Sequence, residues 1–410
     1  MDLLTISTGL ISISAAFSYL NQRFVKLPGT IGVMTLAVAV SLILLAIGEI
    51  GDERSNLIIT LAHSIDFSKV LLDIMLGFLL FAMALNFNYE KLKELRRPVM
   101  ILSTIGVIVS TGVFGGLLYL LTLLFHVEIP LIYCLVFGAL ISPTDPIAVA
   151  SILKKSKIPP RLDTIISGES MFNDAVGLIL FVTLLRIANQ EAAFSMVVTL
   201  RLFAQEVVGG ILIGLATGYV GYRLMKSISD FQTIILISVA LVLGVSVVAG
   251  YIHASVPLSV VAAGLVIGNQ NFGRNHPAEQ PLSQVWHLLD EILNTVLFVM
   301  MGLQLVLLPF LTDFWLIGLL SIVILLIARM ISVFLPALFL LRRVNAGNLF
   351  ILTWAGLRGG ISIAMALSLP ESPYRELILS CCYFIVLFSV IVQGLTLSRV
   401  VNWAASKNEG

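Results

Sequence analysis

Charge is what this chain has least of. Only 11% of its 410 residues are Asp, Glu, Lys or Arg, against about 25% in a typical soluble globular protein. So few charges could not cover a water-soluble surface of this size. Long polar stretches are missing too. The longest, roughly 49–66, 89–97 and 269–280, are of loop size, so no soluble domain can be carved out. Cysteine is rare: Cys134, Cys381 and Cys382 lie in apolar runs, where helix packing is a better account than a disulfide or a metal site. There is no Walker A sequence, no zinc-type Cys/His cluster and no Ser/His/Asp cue. An ATP-driven pump and an intramembrane hydrolase are therefore unsupported, and neither an enzyme nor a cofactor is expected. A net charge of +1 says little about partners, and nothing in the sequence suggests nucleic acid.

Apolar sequence fills the space left. Hydrophobic residues make up 59% of the chain and mean hydropathy is +1.05. Runs of about 20 apolar residues, long enough to span a bilayer, recur from end to end. The expected fold is an all-α polytopic membrane protein with thirteen spans, at roughly 3–20, 28–48, 67–87, 98–124, 131–153, 164–187, 198–225, 231–250, 255–269, 283–308, 313–341, 348–369 and 375–401. The N-terminus lacks the basic region and cleavage site of a signal peptide, so the first helix is expected to be retained. No regulatory tail is expected after the last.

Basic residues fix the orientation. With the N-terminus outside, seventeen fall on the cytoplasmic side: Arg23, Lys26, Lys91, Lys93, Arg96, Arg97, Lys154, Lys155, Lys157, Arg161, Arg223, Lys226, Arg274, Arg342, Arg343, Arg399 and Lys407. Only Arg54, Lys69, Arg186, Arg201 and Arg375 fall outside, and Arg329 and Arg358 lie within spans. The positive-inside rule then places the C-terminus in the cytoplasm, which requires an odd span count. Eleven would satisfy parity as well as thirteen.

Thirteen spans suit two inverted six-helix repeats joined by a linking seventh helix. The fifth and twelfth spans, at matching repeat positions, are both interrupted. One carries Ser142-Pro143-Thr144-Asp145-Pro146, the other Gly356-Leu357-Arg358-Gly359-Gly360. Paired interruptions of this kind point to a transporter's midplane site. Gly and Pro are common in membrane helices anyway, but here each break also carries a charge.

Ionisable groups near mid-membrane cost about 2.5–3.5 kcal/mol even on insertion scales, so they mark function by default. Five are placed there: Asp145, Glu169, Asp174, Arg329 and Arg358. The prolines flanking Asp145 remove backbone donors, which frees carbonyls around Ser142–Thr144 from the helical ladder. Those carbonyls must face protein, water or an ion, and beside a carboxylate they suit a small hard cation. A structural cap for the broken helix is the plainer reading of Asp145, and it is compatible with transport. In the sixth span Glu169 and Asn173 share one helical face, and Ser170 and Asp174 another. Asp174 lies near the middle. Burial disfavours a carboxylate's charge and a bound cation favours it, so one such site holds a cation or a proton, which is what exchange requires. The alternative is a permanent ion pair, for which only Arg329 and Arg358 are available. Glu169 and Arg329 are expected to pair with each other as architecture. Arg358 is expected to neutralise helix-end carbonyls.

Weaker features have packing explanations. Gly210, Gly214 and Gly218, and likewise Gly112 and Gly116, have the small-xxx-small spacing that lets helices approach closely. His63, His126, His253, His276 and His287 fall in loops or near span ends, and pH sensing by any of them is a secondary reading.

At these motifs, together with Gly168-Glu169-Ser170-Met171-Phe172-Asn173-Asp174 and Ala328-Arg329, the sequence resembles the NhaP-type Na+/H+ antiporters, relatives of the animal sodium/proton exchangers. The resemblance covers essentially the whole membrane domain and rests on the motifs jointly, in order and spacing. It implies a thirteen-helix homodimer with two crossed broken helices in the cell inner membrane. The ion-carrying core would lie at roughly 67–187 and 283–369, with the remaining helices for dimerisation. Asp174 would be the principal ion and proton carrier. Asp145, Ser170 and the Thr144 carbonyl would add oxygens, Asn173 would orient the unwound segment, and Glu169 with Arg329 would form the structural pair. Asn173-Asp174 implies electroneutral one-for-one exchange. One departure stands out: relatives often carry an acidic residue after the third-span Leu-Phe, where this chain has Leu80-Phe81-Ala82, and Asp73 cannot be assumed to replace it. Exchange of Na+ or Li+ for H+ is the leading function, and a K+-preferring antiporter the nearest alternative. A cation channel fits paired breaks and a titratable carboxylate less well, and a membrane sensor lacks an output domain.

Overall fold

The computed structural model describes residues 3–48, 66–145, 149, 158–189, 196–269, 279–305, 314–340 and 346–406. Pro146, the basic residues Arg54, Lys154, Lys155, Lys157, Arg274, Arg342, Arg343 and Lys407, and the histidines His63 and His276 lie outside the described residues.

Every regular element among the described residues is helical, as backbone satisfaction in a bilayer demands unless a barrel closes. In chain order they are α1 (Leu3–Leu20), α2 (Gly29–Gly48), α3 (Phe67–Leu85), α4 (Tyr89–Leu124), α5 (Leu131–Ile141), α6 (Pro160–Ala188), α7 (Met196–Lys226), α8 (Phe231–Tyr251), α9 (Val256–Gly268), α10 (Glu279–Gln304), α11 (Trp315–Leu340), α12 (Ala346–Trp354), α13 (Gly360–Leu367) and α14 (Arg375–Ala404). Among the described residues eight helices are long and apolar enough to cross a membrane. Leu4–Val25 and Gly29–Leu44, bent by 106°, make a ninth if taken as one span. Two shorter apolar helices, α5 and α9, accompany them.

The polar stretch 89–97 is not a loop. It forms the first turns of α4, a continuous helix of 36 residues. Asn88 starts it by accepting a hydrogen bond from the Lys91 amide at 3.1 Å. Leu92 and Val99 point inward while Glu90, Lys91, Lys93 and Glu94 are exposed. Hydropathy averages over such an amphipathic turn and so misses it.

The helices pack in three groups. α4, α5, α6, α11, α13 and α14 pack on one another, while α1 and α2 pack with α10, and α7 and α8 with α9. α3 packs against α9 and α10 and also touches α13, so it lines the seam between all three. Close approach within the third group rests on glycine. A Cβ on Gly214 would stand 2.2 Å from the Ser259 carbonyl oxygen. Gly112 and Gly116 do not act this way: no atom of the described residues lies within 4 Å of where their Cβ would be. The α4–α5 contact is made one position round the helix, where a Cβ on Gly138 would meet the Thr111 carbonyl at 2.5 Å. The three cysteines are buried and free.

Candidate functional site

The two breaks meet. α5 ends at Ile141, α12 at Trp354, and α13 begins at Gly360. Between them the Asp145 amide donates to the Leu357 carbonyl at 2.7 Å. Arg358, fully buried, reaches across to donate to the carbonyls of Ser142 and, at 2.9 Å, Pro143. Two of the carbonyls that the first break frees are thus held by a guanidinium from the second, and Thr144's is the one of the three that Arg358 leaves. Arg358 is itself fixed through its own amide, which donates to Ser389 Oγ at 2.8 Å. Gly359 is required by proximity, since a Cβ there would lie 2.3 Å from Asp145 Oδ2.

α6 supplies the other wall. Its Asn173 clasps the unwound segment: Asn173 Oδ1 accepts from the Thr144 amide at 3.3 Å, and Nδ2 donates to Thr144 Oγ1 at 2.7 Å. The Thr144 and Ser170 hydroxyls share a hydrogen bond of 2.8 Å. Asp174, one turn beyond Ser170, is 3% exposed, and its Oδ1 has no hydrogen-bond partner among the described residues. A buried carboxylate oxygen is seldom left so.

Glu169 and Arg329 form a bidentate ion pair, with Nη2 donating to Oε2 at 3.0 Å and Nη1 to Oε1. Arg329 Nη2 also donates to the Leu352 carbonyl at 3.2 Å. The pair ties α6 to α11 and to the end of α12. Neither of its members lines the cavity described next.

That cavity, about 40 Å³, is bounded by Asp145, Asp174 and Thr144 on one side and by Gly359, Gly360 and Ser362 on another. The volume is of ion or water size. The side chains of α3 that face it are apolar, Leu76, Leu79, Leu80 and Met83. Ala82 instead packs in the cluster around Trp286. Asp73 lies in a different cavity, with Arg186, Glu206 and His253, so it does not take the place of an acidic residue at 82.

The sodium/hydrogen exchanger transmembrane family matches residues 11–403. The chain belongs to that family. Among sodium/hydrogen exchangers it is 40% identical to the Na+/H+ antiporter NhaP of Pseudomonas aeruginosa, over 98% of this chain and 96% of that protein. It is 29% identical to the Na+/H+ antiporter NhaH of Halobacillus dabanensis, over 98% and 96%. Its fold is that of the sodium proton antiporter MjNhaP1 from Methanocaldococcus jannaschii, with a TM-score of 0.80 over 98% of this chain and 99% of that one at 18% identity.

Sequence reading missed two groups in this exchanger's cavity, Asn294 of α10 and Ser362 of α13. Asn294 follows Asp290 by one turn where the span passes from polar to apolar sequence, and that spacing was the signal available. Ser362 carried none, because a lone serine in a membrane helix usually bonds back to its own backbone.

Proposed function

We propose that this protein is a secondary antiporter that exchanges Na+ or Li+ for H+ across the cell inner membrane by alternating access, one for one. The observation that carries the reading is the unpartnered Asp174 Oδ1 in an ion-sized cavity it shares with Asp145. A carboxylate there is neutralised by a cation or by a proton, and the two exclude each other. Asp145, Ser170 and the Thr144 carbonyl add oxygens to the cation. Asn173 holds the unwound segment, Arg358 compensates its carbonyls, and Glu169 with Arg329 braces α6. No cofactor takes part.

The finer architecture belongs to the same reading. Counting α12 and α13 as one broken span, and α5 as the first half of another, the helices make thirteen spans in two inverted six-helix repeats around the linking α7. This is supported by the matching places of the two breaks. The ion-carrying core draws on 67–187 and 283–369, with the remaining helices serving a homodimer. An outside N-terminus and a cytoplasmic C-terminus follow from the basic-residue bias.

Purified protein in liposomes tests the function, with internal pH followed under imposed Na+, Li+ and K+ gradients, with and without valinomycin. Saturable proton movement driven by Na+ or Li+ and indifferent to membrane potential is expected. K+-driven movement would make it a potassium/proton antiporter instead. Non-saturating flux would make it a channel.

A further inference from the structure

The cavity has one more polar group in its lining besides those of the two breaks and α6. Asn294 of α10 is fully buried and lines the space. Its Nδ2 donates to the Asp290 carbonyl at 2.7 Å and to Asp290 Oδ1 at 2.9 Å. The Asp290 carbonyl can only accept, so chemistry settles which end of the amide is nitrogen. The amide oxygen is thereby turned away from Asp290, and it has no hydrogen-bond partner among the described residues. Ser362 Oγ, also on the cavity wall, is likewise buried without one.

We propose that Asn294 is a further ligand of the transported cation, giving its amide oxygen to the cavity of Asp145 and Asp174, with Asp290 as the positioning residue that holds the amide in this orientation. The inference rests on the exchange reading above and deepens it. Hard cations take amide oxygens as readily as they take water, and an orphaned buried carbonyl is an acceptor awaiting such a partner. The position explains how the chain can do without a carboxylate on α3, whose cavity face is apolar. It also places one ligand on α10 and the others on α6 and the break after α5, all within the stretches 67–187 and 283–369 assigned to the ion-carrying core. An amide adds no charge, so the site remains one in which a single proton replaces a single monovalent cation.

The test uses the full-length protein in proteoliposomes and, separately, in detergent. Initial exchange rates are measured against Na+ and Li+, and thermal unfolding is followed with NaCl replacing choline chloride at constant ionic strength. Asn294→Leu should raise the apparent KM about tenfold, the cost of one ligand to a charged group, and by more than it lowers the maximal rate. Na+-dependent stabilisation should weaken in parallel. Asn294→Asp keeps an oxygen and adds a charge, so it should lower KM at high pH and steepen the dependence of KM on pH. Asp290→Asn, which permits the amide to turn over, should shift KM in the same direction as Asn294→Leu by a smaller factor. A folded Asn294→Leu protein with wild-type KM for both ions overturns the inference. If that variant does not fold, an Asn294→Asp protein with wild-type KM and pH dependence overturns it. Wild-type protein that is stabilised by Na+ but moves no protons would instead defeat the exchange reading, and the detergent series would still decide the ligand.

Discussion

Arg358 and Ser142 stand 216 residues apart in sequence, yet the guanidinium of one caps the carbonyl of the other at the heart of the fold. With Pro143 as second acceptor, this contact lets each broken helix complete the other. The first break has carbonyls to spare and the second brings the donor. Both bonds come from Nη1, so Arg358→Lys keeps the charge but, on a shorter side chain ending in a compact ammonium, no longer holds its donor nitrogen at the same point between the two carbonyls. It should destabilise the protein by about 1.5–3 kcal/mol, as expected for a hydrogen bond to a charged group, and should reduce exchange in proportion. Thermal unfolding in detergent checks this, and an unshifted melt would show that a lysine ammonium serves both carbonyls as well as Nη1 does.

Asp174→Asn should abolish exchange in protein that still folds. The amide has nearly the same shape but can neither carry the proton nor neutralise Na+. Size-exclusion profile and thermal melt establish folding, and Na+-driven pH change in proteoliposomes measures activity. Residual exchange above about a tenth of wild type, a loss of less than about 1.4 kcal/mol of barrier, would remove Asp174 from the carrier role.

Glu169→Ala and Arg329→Ala should each cost about 3–5 kcal/mol, because removing one member of a buried pair strands the other's charge. The double variant should lose less than the sum of the two, since no charge is then stranded. Cation preference should change little, because neither residue lines the cavity. Unchanged melting together with altered Na+/Li+ selectivity would instead place the pair in the ion site.

The parts of the fold legible in the sequence are those with a local signal. Apolar runs located the long helices, and the charge-bearing breaks at Asp145 and Arg358 stood out because such residues are costly in a bilayer. Which partners they would meet was less accessible. That Arg358 serves carbonyls of the other break depends on the register of two helices far apart in sequence. Gly112 and Gly116 satisfied the spacing rule, yet the α4–α5 contact uses the face of Thr111. The rule records a period along one helix and not the azimuth of its neighbour. Asn294 was faint for a related reason. An amide carries no formal charge to mark it, and its place beside the cavity depends on helices far from it in sequence.

Cation and proton should compete for one site, so apparent Na+ affinity should weaken as pH falls. Na+ binds only when Asp174 is ionised. While the unliganded site is mostly protonated, each unit by which pH falls should raise the apparent KM about tenfold for one competing proton, since one unit corresponds to about 1.4 kcal/mol. At higher pH, where no proton remains to be displaced, the dependence should flatten. Asp145 and Asp174 share a cavity, so the midpoint belongs to the pair and not to one residue. A second competing proton would steepen the slope toward a hundredfold per unit and make transport respond to membrane potential. Initial rates against Na+ concentration, at several symmetrical pH values in proteoliposomes, distinguish these cases. A KM independent of pH, with only the maximal rate changing, would contradict a shared site and locate pH control elsewhere, for which the separate cavity of Asp73, Glu206 and His253 is the place to look first. One-for-one competition, unaltered by a potassium-valinomycin potential, is the expected outcome. It follows from the Asn173-Asp174 pair, in which an amide stands where a second carboxylate would carry a second proton.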